Sequence, residues 1–296
     1  MHFDILVAVA GLIVGLAVGL TGMGGGALMT PVLVLLFGVQ PLAAVSSDLV
    51  ASLIMKPAGV LVHLRRRTMN WRLVGWLAAG SVPTAFLGVV VLRALGHGSR
   101  VQTIVQLALG AVLLLGVVAM LVRAAIDQRR PGSASSARVR PLPTLVIGAA
   151  VGFVLGMTST GSGTLVIVSL MLLYPSLRGS QLVGTDLTQA LPMVGSAALA
   201  HIFFGDFKLG LTLSIVAGSI PGVVIGALIS SRASTRFLRP ALAIVMLASG
   251  LKLLNMPTLA LGIALASATL VVLIVAAGRA ASHRIRPGVT ASIEAS

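Results

Sequence analysis

The 296-residue chain has no cysteine, only six acidic residues, one tyrosine and two tryptophans. Without cysteine there is no disulfide, no reactive thiolate and no cysteine-based metal site. Charged residues make up 9% of the chain, where a soluble domain carries about a quarter. What is there instead is apolar: 57% of the residues are hydrophobic, and they fall in long runs. This composition excludes an ordinary soluble domain and predicts an all-α polytopic membrane protein. The net charge of +15 invites a nucleic-acid partner. None is expected, because the basic residues sit between apolar runs, where the positive-inside bias puts them. The start, Met1-His2-Phe3-Asp4, lacks the basic region of a signal peptide. The first apolar run is therefore expected to stay in the mature protein.

The apolar runs cover roughly 4–20, 24–39, 43–64, 71–93, 101–123, 142–157, 161–175, 182–204, 208–230, 236–254 and 257–277. A stretch within them occurs twice. Gly15, Gly19, Thr21, Gly24, Gly26 and Leu28 match Gly152, Gly156, Thr158, Gly161, Gly163 and Leu165 at an offset of 137. From Val45 the offset is 138. Asp48, Leu49, Leu53, Met55 and His63 then match Asp186, Leu187, Leu191, Met193 and His201, and Gly80-Ser81-Val82-Pro83 matches Gly218-Ser219-Ile220-Pro221. Apolar sequence matches Leu to Leu by chance, but it does not readily match Asp, His and a Gly-Ser-x-Pro group in one register. The first two runs form a pair broken at Thr21-Gly22-Met23-Gly24-Gly25-Gly26, and the sixth and seventh a pair broken at Thr158-Ser159-Thr160-Gly161-Ser162-Gly163. Each member is short for a full span, so each pair is either two tilted spans or one re-entrant hairpin.

Positive charge sets the orientation. With Arg65, Arg66, Arg67 and Arg72 on the cytoplasmic side, alternation also puts Arg123, Arg129, Arg130, Arg138 and Arg140 there, with Arg178, Arg232, Arg236, Arg239, Arg279, Arg284 and Arg286. Arg93, Arg100, Lys208 and Lys252 fall outside. The N-terminus is then outside and the C-terminus cytoplasmic. The loop after His63 is cytoplasmic while that after His201 is outside, so the two copies have opposite orientation, an arrangement typical of secondary transporters. The expected organisation is a first transmembrane repeat over 1–123, a cytoplasmic linker over 124–141 and a second, inverted repeat over 142–254. An extra span over 255–278 and a cytoplasmic tail over 279–296 follow.

Asp48 and Asp186 are the two acidic residues inside expected spans. An ionised carboxylate there costs a few kcal/mol or more. Each follows a hydroxyl residue, Ser47 or Thr185. The pair reads either as a proton-coupling and substrate site or as helix-capping carboxylates. The Gly-rich breaks supply backbone N–H groups that bind anions, with hydroxyls from Thr21, Thr158, Ser159, Thr160 and Ser162; close helix packing through small residues is the other reading. Gly22, Gly24, Gly25 and Gly161 belong to the same candidate substrate site. Gln189 lies one turn beyond Asp186. Lys56 is the mid-span cation, and Val194 stands at its matched position. His63 and His201 lie near run ends, which favours interfacial anchoring. No histidine pair has metal-ligand spacing, and neither metal nor cofactor is expected. With no nucleophile–base pair close in sequence, enzymatic activity is not expected either. Trp71 and Trp76 read as interfacial aromatics, and Arg65–Arg67 as a possible contact for anionic membrane lipids.

Gly19-Leu20-Thr21-Gly22-Met23-Gly24-Gly25-Gly26 followed by Pro31, Ala44-Val45-Ser46-Ser47-Asp48, Val183-Gly184-Thr185-Asp186-Leu187 and the Gly218–Pro221 group resemble the sulfite exporter TauE/SafE family, also called TSUP or DUF81. The resemblance covers about residues 5–254. It implies a bacterial-type inner-membrane transporter of small anions such as sulfite or organosulfonates. Many relatives carry a non-acidic residue where Asp48 and Asp186 stand, so the resemblance does not supply a role for them. The sequence thus predicts a secondary transporter with two inverted-topology repeats and Gly-rich broken helix pairs, moving a small anion with protons as a coupling ion. A cation or proton channel using the same Asp pair is the alternative.

Overall fold

The computed structural model describes residues 4–21, 25–65, 69–96, 98–127, 139–177, 179–204, 207–230 and 238–257, with the isolated positions 262 and 266. These residues form ten helices and no strand: α1 (Ile5–Thr21), α2 (Gly26–Leu35), α3 (Pro41–Arg65), α4 (Trp71–Ala94), α5 (Ser99–Asp127), α6 (Pro141–Thr158), α7 (Leu165–Leu173), α8 (Gly179–Phe204), α9 (Leu209–Ser230) and α10 (Leu238–Leu253). The expected run 257–277 and the tail lie almost wholly outside the described residues.

The apolar runs become helices because a chain in hydrocarbon must satisfy every backbone N–H and C=O within the segment itself. Five helices are long and apolar enough to cross a membrane: α4, α5, α6, α8 and α9. Large apolar side chains such as Leu115, Leu121, Phe203, Leu213 and Leu228 point outward rather than into the core, as a lipid-facing surface requires. The fold is an all-helical, polytopic membrane fold.

The broken pairs are unequal. α1 and α6 have 17 and 18 residues, whereas α2 and α7 have 10 and 9. At 1.5 Å per residue the second member of each pair is roughly 15 Å long, about half the hydrocarbon thickness. Each pair is a near-full helix followed by a half-helix.

Packing follows the sequence correspondence, but it crosses between the two copies. α1 packs along α9 and α6 packs along α4, while α3 lies against α8 and α5 against α10. The repeat offset carries α1 onto α6 and α4 onto α9, so it exchanges one long pair for the other. Both long pairs are joined by glycines four residues apart. Gly218, Gly222 and Gly226 of α9 face the carbonyls of Ala8, Leu12 and Leu16 so closely that a Cβ at any of them would collide. Gly148, Gly152 and Gly156 of α6 face those of Leu77, Ser81 and Ala85 in the same way. Small residues at this spacing let two helix backbones touch, which is how helices associate where no hydrophobic drive exists between them. The Pro-containing helices α4 and α9 carry the matched Gly-Ser-x-Pro groups into these contacts.

The glycine contacts predict a sharp contrast. Gly222→Leu should shift the purified protein out of its folded monodisperse peak and lower its thermal midpoint. Gly75→Ala, on the same kind of helix but with nothing within 4 Å of its added Cβ, should leave both unchanged. Thermal unfolding in detergent, followed by size-exclusion chromatography, measures the difference.

Candidate functional site

The break after α6 lies against the start of α2. Helix α6 ends at Ser159, whose φ of 56° is left-handed and whose N–H bonds the Leu155 carbonyl. Gly161 and Gly163 follow with φ of 127° and 94°, conformations that glycine adopts without steric cost. This turn lays the Ser159 carbonyl against the Cα of Gly26, the first residue of α2, where a Cβ would collide with it. The hydroxyl of Thr160 donates to the Gly26 carbonyl at 3.0 Å. The hydroxyl of Thr158 reaches the carbonyls of Val154 and Thr160. Hydroxyls of the second break thus bond its own carbonyls and reach across to the first residue of α2.

Asp48 enters this crossing from α3. It is fully buried, as are its neighbours Ser46 and Ser47. Thr30 of α2 donates to Asp48 Oδ2 at 3.0 Å, and Thr30 Oγ1 lies 2.7 Å from Ser159 Oγ. Thr30 has one hydroxyl proton, so with that proton on Asp48 the second bond runs from Ser159 to Thr30. Oδ2 also lies close to Gly26, 3.1 Å from where its Cβ would be. The other carboxyl oxygen, Oδ1, and the hydroxyl of Ser47 are buried without a hydrogen-bond partner.

Asp186 occupies the matching place on α8. It accepts a hydrogen bond from Gln189 Nε2 at 3.3 Å and lies near the backbone of Gly163, two residues before α7. Gln189 Oε1 in turn accepts from Ser81 Oγ at 3.2 Å. Neither Asp caps its own helix: Asp48 is the eighth residue of α3 and Asp186 the eighth of α8. Each lies instead at the start of the half-helix in its own copy, α2 or α7.

Lys56 Nζ, half-buried on α3, donates to Ser162 Oγ at 3.4 Å and acts electrostatically on both Asp48 and Asp186. Thr185 Oγ1 accepts the N–H of Asn70, the residue that caps α4. Gly25 is the buried N-cap residue of α2. Thr21 ends α1, but its side chain lies outside the described residues, as do Gly22 and Gly24. Of the residues singled out from sequence, the structure brings together Gly25, Asp48, Lys56, Ser159, Thr160, Ser162, Asp186 and Gln189 around the crossing, with Thr158 and Gly161 shaping the turn.

Sequence reasoning missed three contributors. Thr30 is a lone hydroxyl in an apolar run, and its matched position is Ile167, so the repeat gave no signal. Ser81 stands in the matched Gly-Ser-x-Pro group, and its hydroxyl reaches the site through Gln189. His201 is not an interfacial anchor. It is fully buried, with Nε2 2.8 Å from the Gly156 carbonyl and Nδ1 2.8 Å from Ser46 Oγ. The carbonyl accepts only, so Nε2 carries a proton. The imidazole ties α8 to α3, two residues from Asp48, and to the end of α6. The side chain of His63 lies outside the described residues.

A multi-pass helical fold with two half-helices, facing breaks and buried ionisable groups at their crossing defines a membrane protein built around a central polar site. Comparisons with known proteins agree. The profile of the sulfite exporter TauE/SafE family matches residues 7–253. The probable membrane transporter protein YjnA of Bacillus subtilis (strain 168) is 39% identical over 258 residues, 85% of this chain and 100% of that protein. The probable membrane transporter protein y4hK of Sinorhizobium fredii (strain NBRC 101917 / NGR234) is 26% identical over 261 residues, 83% and 96% of the two chains. No solved structure matches. The chain belongs to the TauE/SafE family of membrane transporters.

The Asp48–Thr30–Ser159 chain predicts that Thr30→Val lowers stability by roughly 1–2 kcal/mol, the range for buried membrane hydrogen bonds. Thr30→Ser should restore most of it, because the donor returns. Thermal midpoints of the two variants in one detergent make the comparison.

Proposed function

We propose that the protein is a secondary transporter that carries a small oxyanion, such as sulfite or a sulfonate, across the bacterial inner membrane with protons as the coupling ion. The observation that supports this reading best is the crossing of the two breaks. Two half-helix N-termini, positive ends that suit anions, converge there with the hydroxyls of Thr30, Ser159, Thr160 and Ser162. Lys56 adds positive charge, and Asp48 and Asp186 are the groups able to take up and release protons. The family's description as sulfite exporters supports the substrate class; the direction of movement is left open by it. The sequence repeat, the charge distribution and the matched helix pairs support two inverted repeats, with the N-terminus outside and the C-terminus cytoplasmic. No residue is assigned a catalytic role.

A second reading has an observation in its favour. Two buried carboxylates, one with an unpartnered oxygen, suit a cation or proton pathway as well.

Proteoliposomes holding the purified protein separate the two. Radiolabelled sulfite uptake is expected to saturate, to be accelerated by unlabelled sulfite on the opposite side and to be driven by an imposed pH gradient. Asp48→Asn with Asp186→Asn should lower gradient-driven accumulation by about tenfold or more, since one linked proton is worth a factor of ten per pH unit. Non-saturating flux of protons or sodium without counterflow would support the channel instead.

A further inference from the structure

We propose that Asp48 and Asp186 are tethered stand-ins for the transported anion: each occupies the N-terminal end of a half-helix, and the anion enters that place only as the carboxyl takes up a proton. The inference rests on the anion-transport reading above and specifies how that site is regulated.

The geometry comes first. Asp186 lies near the backbone of Gly163 at the approach to α7. Asp48 is bonded to Thr30 within the first turns of α2 and sits against Gly26. Both half-helices exceed eight residues, and each places a positive dipole end inside the molecule. The chain's own carboxylates thus lie beside the starts of the two half-helices, at matched sequence positions, where the sequence predicts a substrate anion. An oxyanion and a carboxylate have the same requirement, donors converging on a negative oxygen, so they cannot both be held there.

A second observation is independent of the helix ends. Asp48 is fully buried, yet Oδ1 has no hydrogen-bond partner, and neither has the adjacent Ser47 hydroxyl. A buried carboxylate oxygen left without a donor is costly. It is also where a proton adds without breaking an existing bond. Proton addition removes the negative charge from the start of α2, weakens the hold of Thr30 and leaves an unused hydroxyl beside the vacated position.

The surrounding charges favour exchange of one anion for another. Lys56 acts on both carboxylates, and Arg123 acts on Asp186. His201 holds Ser46, two residues from Asp48. Helices α2, α6, α7 and α9, which pack around α3 and α8, carry no charged residue, and Arg72 and Arg93 lie near the two ends of α4. When both carboxylates are ionised they offset Lys56 and Arg123. When a carboxyl is protonated, the offset is lost and the site gains positive charge that an incoming anion restores. The proton comes from water on the side to which the site is open and leaves with the anion on the other, so anion and proton move in the same direction. The sign follows: anion affinity rises as pH falls and the carboxylates vacate the helix starts.

The test measures binding rather than flux. Purified protein in detergent is titrated with radiolabelled methanesulfonate, which keeps one charge throughout the pH range, and with sulfite. Wild-type protein should bind methanesulfonate more tightly at low pH, by about tenfold per pH unit for each linked proton. In weakly buffered solution, binding should draw protons from the medium, as reciprocity of linkage demands. Asp48→Asn and Asp186→Asn mimic the protonated carboxyl. Each should bind at least as tightly as wild type at low pH, with a flatter pH dependence, and the double variant should take up no proton. Variants that bind more weakly at every pH, or wild-type binding without proton uptake, would overturn the inference while leaving an anion transporter in place. The proton-uptake measurement needs no variant and so survives any failure of folding. Absence of sulfite and methanesulfonate binding by folded wild-type protein at every pH would instead remove the anion reading, and this inference with it.

Discussion

A helix that breaks inside a membrane exposes backbone groups that no water will satisfy, and the structure answers that constraint with hydroxyls that bond carbonyls of the second break and by packing that break against the start of α2. The Ser159 turn lies on Gly26, Thr160 bonds the Gly26 carbonyl, and Thr30 meets Ser159. Every residue in this exchange lies well over a hundred positions from its partner. The contacts that form the polar centre therefore exist only in the assembled molecule. Buried polar atoms whose alternatives are worse hold their geometry well. That makes the crossing a preorganised polar centre rather than a defect in two helices.

The glycine contacts are what bring the breaks to one place. Gly218, Gly222 and Gly226 fix α9 on α1, and Gly148, Gly152 and Gly156 fix α6 on α4. Each of these pairs takes one helix from before the polar linker and one from after it. The two sequence copies are therefore interlocked. A motion that rocked residues 1–123 as one body against residues 142–254 would have to shear both sets of backbone contacts at once. A motion that keeps α1 with α9 and α4 with α6 leaves them intact and is taken up where α3 meets α8 and α5 meets α10. The moving bodies favoured by packing are thus composites of the two copies, a conclusion that the order of the chain does not suggest.

The helices and both carboxylates were legible in the sequence because each is a strong local contrast. A long apolar run has one stable form in a membrane, and an Asp inside such a run stands out against everything near it. The breaks were legible as clusters of glycine and hydroxyl residues. Their unequal arms were not, since an apolar run does not show where a helix within it stops: the run 24–39 yields a helix of only 10 residues. Thr30 was illegible because threonine is an ordinary resident of membrane helices and its partners are distant in sequence. His201 was misread for a related reason. Its place near a run end implied the interface, but its surroundings are set by α3 and α6, which local sequence does not report. The choice between capping and function for the Asp pair was posed in terms of each residue's own helix. In the structure Asp48 lies mid-helix in α3 and bonds Thr30 of a different helix, α2.

The two halves are not electrostatically equivalent, and this bears on how the site works. Lys56 has no charged counterpart, since Val194 stands at its matched position, and it acts on both carboxylates from one side of the crossing. Arg123 acts on Asp186, while Asp48 depends on hydroxyls and carries the unpartnered oxygen. Two acids that share a cation do not titrate independently; a proton on one leaves the cation more strongly committed to the other. A sequence repeat would suggest two equal sites, each with its own ion. Sharing one lysine makes them a single system in which the state of Asp48 is felt at Asp186. The matched sequence supplies two half-helix starts, and the unmatched lysine interacts with the carboxylates beside both, so that likeness of the scaffold coexists with asymmetry of charge.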